Sequence, residues 1–374
     1  MKKFLIYSCL LISVVALQGQ STRIEKNYSG SFSADQIRLL EISNKYGEVV
    51  INTWKYDSIK IDVRVEAYGK SQDLVNREID RVDIDTRQVG SLISSVTDIN
   101  QGKSRGFFGE LLSELEDVSK SLVGNSKLEI DYQVWMPEQL DLSVENKFGD
   151  VYLGQLSGDI KIDLSHGDLR ADQLSGIVML KHSFGKHTID RLADADLTLR
   201  GVTSNIRSAQ SVSFESSSSE IFLGVMGQVR LDNRNDKIHI EEAIEVSGKG
   251  TFTDLNIRKL VTEGRLNFDY GEIFIDQIVQ NFGSLRIDGK LCDINLIINQ
   301  GSYIKSYIQG VEDRMILPNS MLTMLKGVVA DSEMISLTGM VGNTQVVLSD
   351  LFIVADNGDL IISIEETDVF TNKN

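Results

Sequence analysis

A short turn-and-strand element recurs along the middle of the chain and limits the possible folds more than any other feature. Clear copies begin at Phe148-Gly149-Asp150, His166-Gly167-Asp168 and Tyr270-Gly271-Glu272. Aligned on the glycine position, eight copies fall at residues 149, 167, 185, 204, 219, 236, 253 and 271, in steps of 18, 18, 19, 15, 17, 17 and 18. A register held this long is typical of a repeat protein.

Each copy combines two short segments in which apolar and polar residues alternate. The element starting at Gly149 is followed by Ile160–Leu164, and the element starting at Thr253 by Leu266–Phe268. Two short strands cannot bury an apolar face alone, but repeats stacked about 4.8 Å apart cover one another. The sequence therefore predicts an all-β fold, a parallel β-solenoid (β-helix) with coils of about 17 to 18 residues.

The turn position of the repeat holds glycine in several copies. We expect glycine there to supply a positive φ, because it carries no Cβ. Four copies hold another residue, and for these we expect a different turn. They are Ser204, Ser219, Asp236 and Thr253.

The repeat is regular only in the centre of the chain, which suggests four segments. Residues 1–20 are predicted to be a signal peptide, 21–140 an N-terminal β segment and cap, 141–300 the regular coils, and 301–374 a C-terminal β cap. Caps are expected because the open ends of a solenoid are unpaired sheet edges. Apolar residues at helical spacing, including Phe108, Leu111, Leu115 and Leu122, predict one amphipathic helix inserted at about 106–123.

The N-terminus has the sequence pattern of an export signal. Lys2 and Lys3 precede the apolar run Phe4–Leu17, which is too short to span a membrane. We therefore expect the periplasm or the cell surface and extracellular space. No later run has the length of a spanning helix, so no transmembrane segment is predicted in the mature chain. The net charge of −16 repels phosphate backbones, so no nucleic-acid partner is expected.

Two copies of the repeat carry a family resemblance. Asn44-Lys45-Tyr46-Gly47-Glu48-Val49 and Asn146-Lys147-Phe148-Gly149-Asp150-Val151, followed by a ladder of similar coils behind a signal peptide, resemble the bacterial putative-adhesin family of exported β-solenoid proteins, loosely related to the head-GIN type. The likeness covers about residues 38 to 365, and the insert from Gly69 to Gly124 departs from it. The resemblance implies adhesion at the surface or in the periplasm and brings no catalytic residues.

The titratable residues form no recognisable catalytic or metal motif. His166 is expected to stack in an aromatic ladder, and His187 to be a half-buried, hydrogen-bonded histidine. The chain lacks a phosphate loop and a dinucleotide fingerprint. Acidic residues follow the turn in six copies, but a calcium-binding nonapeptide is absent. We predict no metal, no cofactor and no enzyme. The six acidic residues are Glu48, Asp150, Asp168, Glu220, Asp254 and Glu272.

The outward positions of the first strand form the candidate binding surface. Aromatic and polar residues on a flat sheet can bind sugar or protein, although they are also ordinary residues of a solvated strand. The predicted binding residues are Tyr152, Arg170, Arg207, Phe222, His239 and Phe274. We expect a non-enzymatic envelope protein that contacts a glycan or an envelope or host protein through this surface. The alternatives are a self-associating structural or regulatory envelope protein and a polysaccharide-active β-helix enzyme with a hidden carboxylate pair.

Overall fold

The computed structural model describes residues 22–99, 126–329, 334–342, 344 and 346–365. These residues fold almost entirely into β-strands, joined by two short α-helices and one turn of 3-10 helix. The all-β prediction is confirmed. The predicted signal peptide (1–20) and the predicted helix at about 106–123 lie outside the described residues.

The chain divides after Ile177 into two compact units. One long strand, β11 (Leu169–Ser217), runs across the division. The other strands of the first unit are β1 (Thr22–Ser33), β2 (Leu39–Lys45), β3 (Val49–Thr53), β4 (Ser58–Gly69), β5 (Val82–Val89), β6 (Leu92–Ile99), β7 (Ser126–Met136), β8 (Asp141–Lys147), β9 (Val151–Leu153) and β10 (Ile160–Ser165).

The first unit mixes parallel and antiparallel pairing. Strand β2 pairs in parallel with β6 and β8, and β8 pairs in parallel with β10. Strand β3 pairs in parallel with β7 and β9, and β9 with the start of β11. Strands β1, β4 and β7 pair antiparallel, as do β5 and β6. Leu142 faces Ile160 and Val151 faces Leu169, so both of these pairings have the spacing of the sequence repeat.

A helix that the sequence analysis did not predict lies within the segment 69–124. Helix α1 (Gln72–Asp80) begins after Ser71, whose hydroxyl accepts a hydrogen bond from the backbone N–H of Leu74. Such an N-cap satisfies a donor that has no partner inside the helix. Val75 and Ile79, which lie on the same side of the helix, are buried, so one face of α1 packs on the unit.

The second unit is built on strands that pair in parallel in chain order. Strands β11 to β15 follow one another, and β15 then pairs with β20 and β21. Strand β20 also pairs in parallel with β16, while β19 pairs antiparallel with β16 and β18. The elements are β12 (Glu220–Arg234), β13 (Lys237–Ile257), β14 (Leu260–Ile278), β15 (Ser284–Asn299), β16 (Tyr303–Val311), the 3-10 turn (Glu312–Arg314), β17 (Met315–Ile316), α2 (Asn319–Met324), β18 (Lys326–Val329), β19 (Met334–Gly342), β20 (Leu348–Asp356) and β21 (Leu360–Glu365).

The strand register in the second unit follows the sequence repeat. Thr203 faces Glu220, which faces Lys237, so two successive pairings have the same spacing. The spacing is slightly longer where Thr253 faces Gly271, and longer again where Glu263 faces Ser284. Alternate residues along these strands are buried and form the apolar core. Each fully buried Ile or Leu contributes roughly 1.5 to 3 kcal/mol before the entropy of ordering the chain is subtracted.

The turn geometry corrects the expectation for the turn glycine. Among the turn glycines of the repeat, only Gly271 has a positive φ, of 153°. In every copy a positive φ occurs one position earlier, at Tyr46, Phe148, His166, Phe184, Gly201, Ser218, Asn235, Phe252 and Tyr270. The copies with Ser219, Asp236 and Thr253 therefore keep this positive-φ position instead of adopting a different turn. Val202, and not Ser204, lies at the position equivalent to Ser219, because Thr203 faces Glu220. With this register, the spacing between successive copies is more regular than in the sequence alignment.

Among the described residues, no helix has the length and apolar character needed to cross a membrane.

Candidate functional site

Part of the predicted outward row lies in register in the second unit. Asn205, Phe222 and His239 face one another across β11, β12 and the start of β13. Asn256, Phe274 and Asn295 do the same across the end of β13, β14 and β15. The backbone N–H groups of Asp254 and Arg258 donate to the carbonyls of Asp236 and Ile240, which extends the same register from His239 to Asn256. We call these six residues the outer row.

The outer row presents aromatic rings to solvent. The rings of Phe222 and His239 stack at 5.2 Å with an interplanar angle of 11°. Phe222 and His239 are exposed, and Phe274 is half-buried. The flanking inward residues Ile221 and Ile238 are fully buried. The outer row is therefore fixed by the core beneath it, while its rings remain open to a ligand.

Two of the predicted residues lie in the first unit. Tyr152 on β9 directly faces Arg170 on β11. The Tyr152 hydroxyl donates a hydrogen bond to the Asp150 carboxylate at 3.2 Å. Partial burial, followed by the charge of Asp150, raises the pKa of the Tyr152 phenol, so this side chain is a neutral donor. Arg170 is exposed. Tyr152 and Arg170 thus form a polar pair within the first unit.

Arg207 does not belong to the outer row, which corrects the sequence prediction. The pairing between β11 and β12 is interrupted at Arg207, and Asn205 is the residue that faces Phe222. The Arg207 guanidinium instead pairs with the Asp190 carboxylate at 3.3 Å. The cause is the same false alignment that placed Ser204 at the turn, because Ser204-Asn205-Ile206 resembles Ser219-Glu220-Ile221.

The aromatic turn ladder is confirmed where rings stack within each unit. Tyr46 stacks on Phe148 at 5.5 Å, and Phe148 on His166 at 5.1 Å, in the first unit. In the second unit, Phe252 stacks on Tyr270 at 4.9 Å. Phe252 remains 55% exposed and Tyr270 43% exposed. These turn rings form a second aromatic surface, which the sequence analysis treated only as structural.

A groove that the sequence analysis missed lies on the second segments of the repeats in the second unit. It crosses β12 to β15 and β20 and encloses about 390 Å³. Its floor includes the buried residues Val229, Val246 and Leu285. Its polar lining consists of Gln228, Glu245, Ser247, Glu263, Arg265, Ser284, Arg286 and Asp350. None of these residues belongs to the outer row.

Two arginines and the ring of Phe352 line one side of this groove, and Tyr307 lies next to Phe352 outside the lining. Arg265 faces Arg286, Arg286 faces Phe352, and Phe352 faces Tyr307 in successive pairings. The Arg286 guanidinium lies 4.2 Å from the centre of the Phe352 ring. Phe352 stacks on Tyr307 at 4.7 Å with an interplanar angle of 7°. On the next row, Glu245 faces Glu263, and Ser284 faces Asp350.

Two histidines meet inside the second unit. The Nδ1 atoms of His182 and His187 are 3.3 Å apart, and Nε2 of His187 lies 2.7 Å from the Ser204 hydroxyl. His187 is fully buried rather than half-buried, and burial, aided by nearby His182, lowers its pKa to about 3. No group of three or more His, Cys, Asp or Glu side chains with metal-binding geometry occurs in the part of the chain that the structure describes.

Comparison with known proteins gives distant structural likeness only. No protein-family model and no curated protein matches the chain. A putative adhesin from Parabacteroides distasonis ATCC 8503 shares 11% identity over 72% of this chain and 97% of its own, with a TM-score of 0.32. A putative lipid binding protein from the same strain shares 13% identity over 74% and 97%, with a TM-score of 0.34. A putative cell adhesion protein from Clostridium sporogenes ATCC 15579 shares 8% identity over 91% and 100%, with a TM-score of 0.19. At these identities and TM-scores, the likeness carries no argument about function.

Proposed function

We propose that this chain is an exported, non-enzymatic β-solenoid, with one sequence repeat in each coil, that presents a sheet surface for adhesion to a glycan or protein at the cell envelope. The solenoid is supported by strand pairings that keep the spacing of the repeat and by the positive φ that recurs at each turn. The signal peptide predicted for residues 1–20 and the resemblance of the repeat to the head-GIN-like putative-adhesin family support the location and the role.

The observation that carries the proposal is the exposed stack of Phe222 on His239. An aromatic ring exposed to water does not gain the free energy of burial that it would have in the core, and a ligand that covers the ring can supply it. Stacked rings held by a rigid sheet lose little side-chain entropy when a ligand covers them, which favours binding. Phe274 extends the same outer row. Tyr152 and Arg170 offer a comparable polar surface on the first unit.

The test is binding of the purified chain from residue 21 onward to an array of glycans and matrix proteins, with glycan turnover measured alongside. We expect saturable binding without turnover. The double variant Phe222→Ala/Phe274→Ala should weaken it about tenfold or more, as removal of central aromatic contacts commonly does. Phe252→Ala is the matched control, because it removes an exposed phenylalanine outside the outer row. Equal loss in both variants, or no binding to any probe, contradicts the proposal.

The carboxylates in the groove favour one second candidate, a polysaccharide-active enzyme. Glu245, Glu263 and Asp350 line a single groove rather than being scattered along the turns. A pair of carboxyl groups is the usual machinery of glycoside hydrolysis. Glycan cleavage that is abolished by Glu263→Gln and retained by Glu220→Gln, an exposed glutamate outside the groove, would establish this alternative.

A further inference from the structure

The groove on β12 to β15 and β20 carries two arginines whose charges are unpaired. Arg265 and Arg286 occupy directly facing positions on neighbouring strands, which lie about 4.8 Å apart. Within the described residues, neither guanidinium forms an ion pair within 4.0 Å, and both side chains are exposed. Two adjacent like charges repel each other, and an anion placed between them removes that repulsion.

The surroundings of Arg286 prepare it for a planar anion. Its guanidinium lies over the Phe352 ring, so one of its faces is covered while its N–H edges remain free. A guanidinium held in this way presents two parallel N–H donors that match a carboxylate. Ser247 has a short side chain next to Arg265 in the same row, which leaves room above the floor of the groove.

The remaining lining indicates a sugar that carries the anion. Arg286 and Tyr307 cover the two faces of the Phe352 ring, so the polar residues decide which ligand fits. Glu263 and Asp350 accept hydrogen bonds and suit sugar hydroxyl groups, which are donors. An acidic peptide provides carboxylates but no hydroxyl groups for these acceptors.

We propose that this groove binds a polysaccharide of uronic acid units, with the sugar carboxylate on Arg265 and Arg286. The hydroxyl groups of the sugar donate to Glu263 and Asp350. The site shares no residue with the outer row, so the inference does not depend on the contact surface proposed above.

The test uses polygalacturonate as the probe and isothermal titration calorimetry on the purified chain from residue 21 onward. We expect binding that weakens with added salt, because the ionic contacts are screened. Arg286→Gln and Arg265→Gln should each reduce affinity about tenfold or more, the effect of removing a charge-assisted hydrogen bond. Arg200→Gln is the matched control, since Arg200 is exposed on β11 and does not line the groove.

Several outcomes would overturn the proposal. One is an affinity for fully methyl-esterified polygalacturonate, or for poly-glutamate, equal to that for polygalacturonate. Another is a loss of polygalacturonate affinity that is the same in Arg200→Gln as in Arg286→Gln. Phe222→Ala/Phe274→Ala should leave polygalacturonate affinity unchanged. If that double variant abolishes it, the ligand occupies the outer row and not the groove. If the chain does not bind polygalacturonate but binds another probe through the outer row, the groove proposal is refuted and the proposed function stands.

Discussion

Gly149 lies so close to Gly47 that a Cβ on Gly149 would be 2.0 Å from the Gly47 carbonyl oxygen. The same contact recurs one repeat later, where a Cβ on Gly167 would be 2.1 Å from the carbonyl oxygen of Gly149. The positive φ of this turn belongs to the preceding residue, Phe148, at 60°. Glycine is therefore needed at residue 149 for close approach of stacked backbones rather than for its conformational freedom.

Gly149→Ala should destabilise the first unit. The added methyl group meets backbone atoms, which cannot move aside as a flexible side chain can, so we expect a loss of about 1 to 3 kcal/mol or more. Gly154→Ala is the control, because the nearest atom to its Cβ would be 3.7 Å away. Urea unfolding followed by circular dichroism measures both variants. Equal midpoints for Gly149→Ala and the wild-type chain would contradict the close approach.

The repeat could be predicted from sequence because its apolar positions alternate with a fixed period. The alignment failed at Ser204, where Ser204-Asn205-Ile206 imitates the element out of register. A one-dimensional pattern cannot settle such a shift, because only the hydrogen-bonded pairing shows that Thr203 faces Glu220. Helix α1 was not predicted because its buried face consists of only two residues, Val75 and Ile79.

The outer row was predicted in large part, but the groove was not. The outer row repeats with the turn, so the same alignment supplied both Phe222 and Phe274. The groove contains Arg265, Arg286 and Phe352. Arg286 on β15 pairs with Phe352 on β20, although β16 to β19 lie between these two strands in the sequence. A fixed period cannot reveal that juxtaposition. Aligning the second segments would have shown arginine recurring in one row at Arg230, Arg265 and Arg286, and the last two line the groove.

Asp236→Ala should destabilise the second unit strongly. The buried Asp236 carboxylate accepts hydrogen bonds from the backbone N–H of Ser219 at 2.7 Å and from the Asn233 amide at 3.1 Å. It also accepts one from the Ser216 hydroxyl. Removing it leaves buried donors without partners, at a cost of about 1 to 3 kcal/mol for each. Thermal unfolding measures the loss.

The control for Asp236 is Asp254→Ala, an exposed carboxylate one repeat further along the chain. Surface charges of this kind contribute little to stability, so its midpoint should remain near that of the wild-type chain. If Asp236→Ala unfolds no more readily than Asp254→Ala, the buried network contributes no stability and the turn is held by backbone pairing alone.

His187 should make the protein less stable as the pH falls. Burial, aided by nearby His182, lowers the pKa of His187 to about 3, below its ordinary value of 6.5. Above pH 6.5, His187 is neutral in both the folded and the unfolded chain, so it adds no pH dependence to the free energy of unfolding. Below it, the unfolded chain binds a proton that the folded chain excludes, so stability falls by up to about 1.4 kcal/mol per pH unit until about pH 3.

The variant His187→Asn isolates this effect. Asparagine can accept a hydrogen bond from the Ser204 hydroxyl but does not titrate in this range. Urea unfolding at a series of pH values between 7 and 4 should therefore give a shallower slope for the variant than for the wild-type chain. Parallel slopes would show that His187 titrates equally in both states, contrary to its complete burial.

Cys292 should be unreactive in the folded protein. Its thiol is buried, and burial, followed by the charge of the neighbouring Asp293, raises its pKa to about 12. The thiolate is the reactive form, so both access and ionisation oppose modification. We expect Ellman's reagent to label no Cys292 at pH 8 until urea unfolds the chain, and then one equivalent in the chain from residue 21 onward. Rapid labelling without denaturant would mean that the strand pairing of Cys292 with Gly271 opens in the native state.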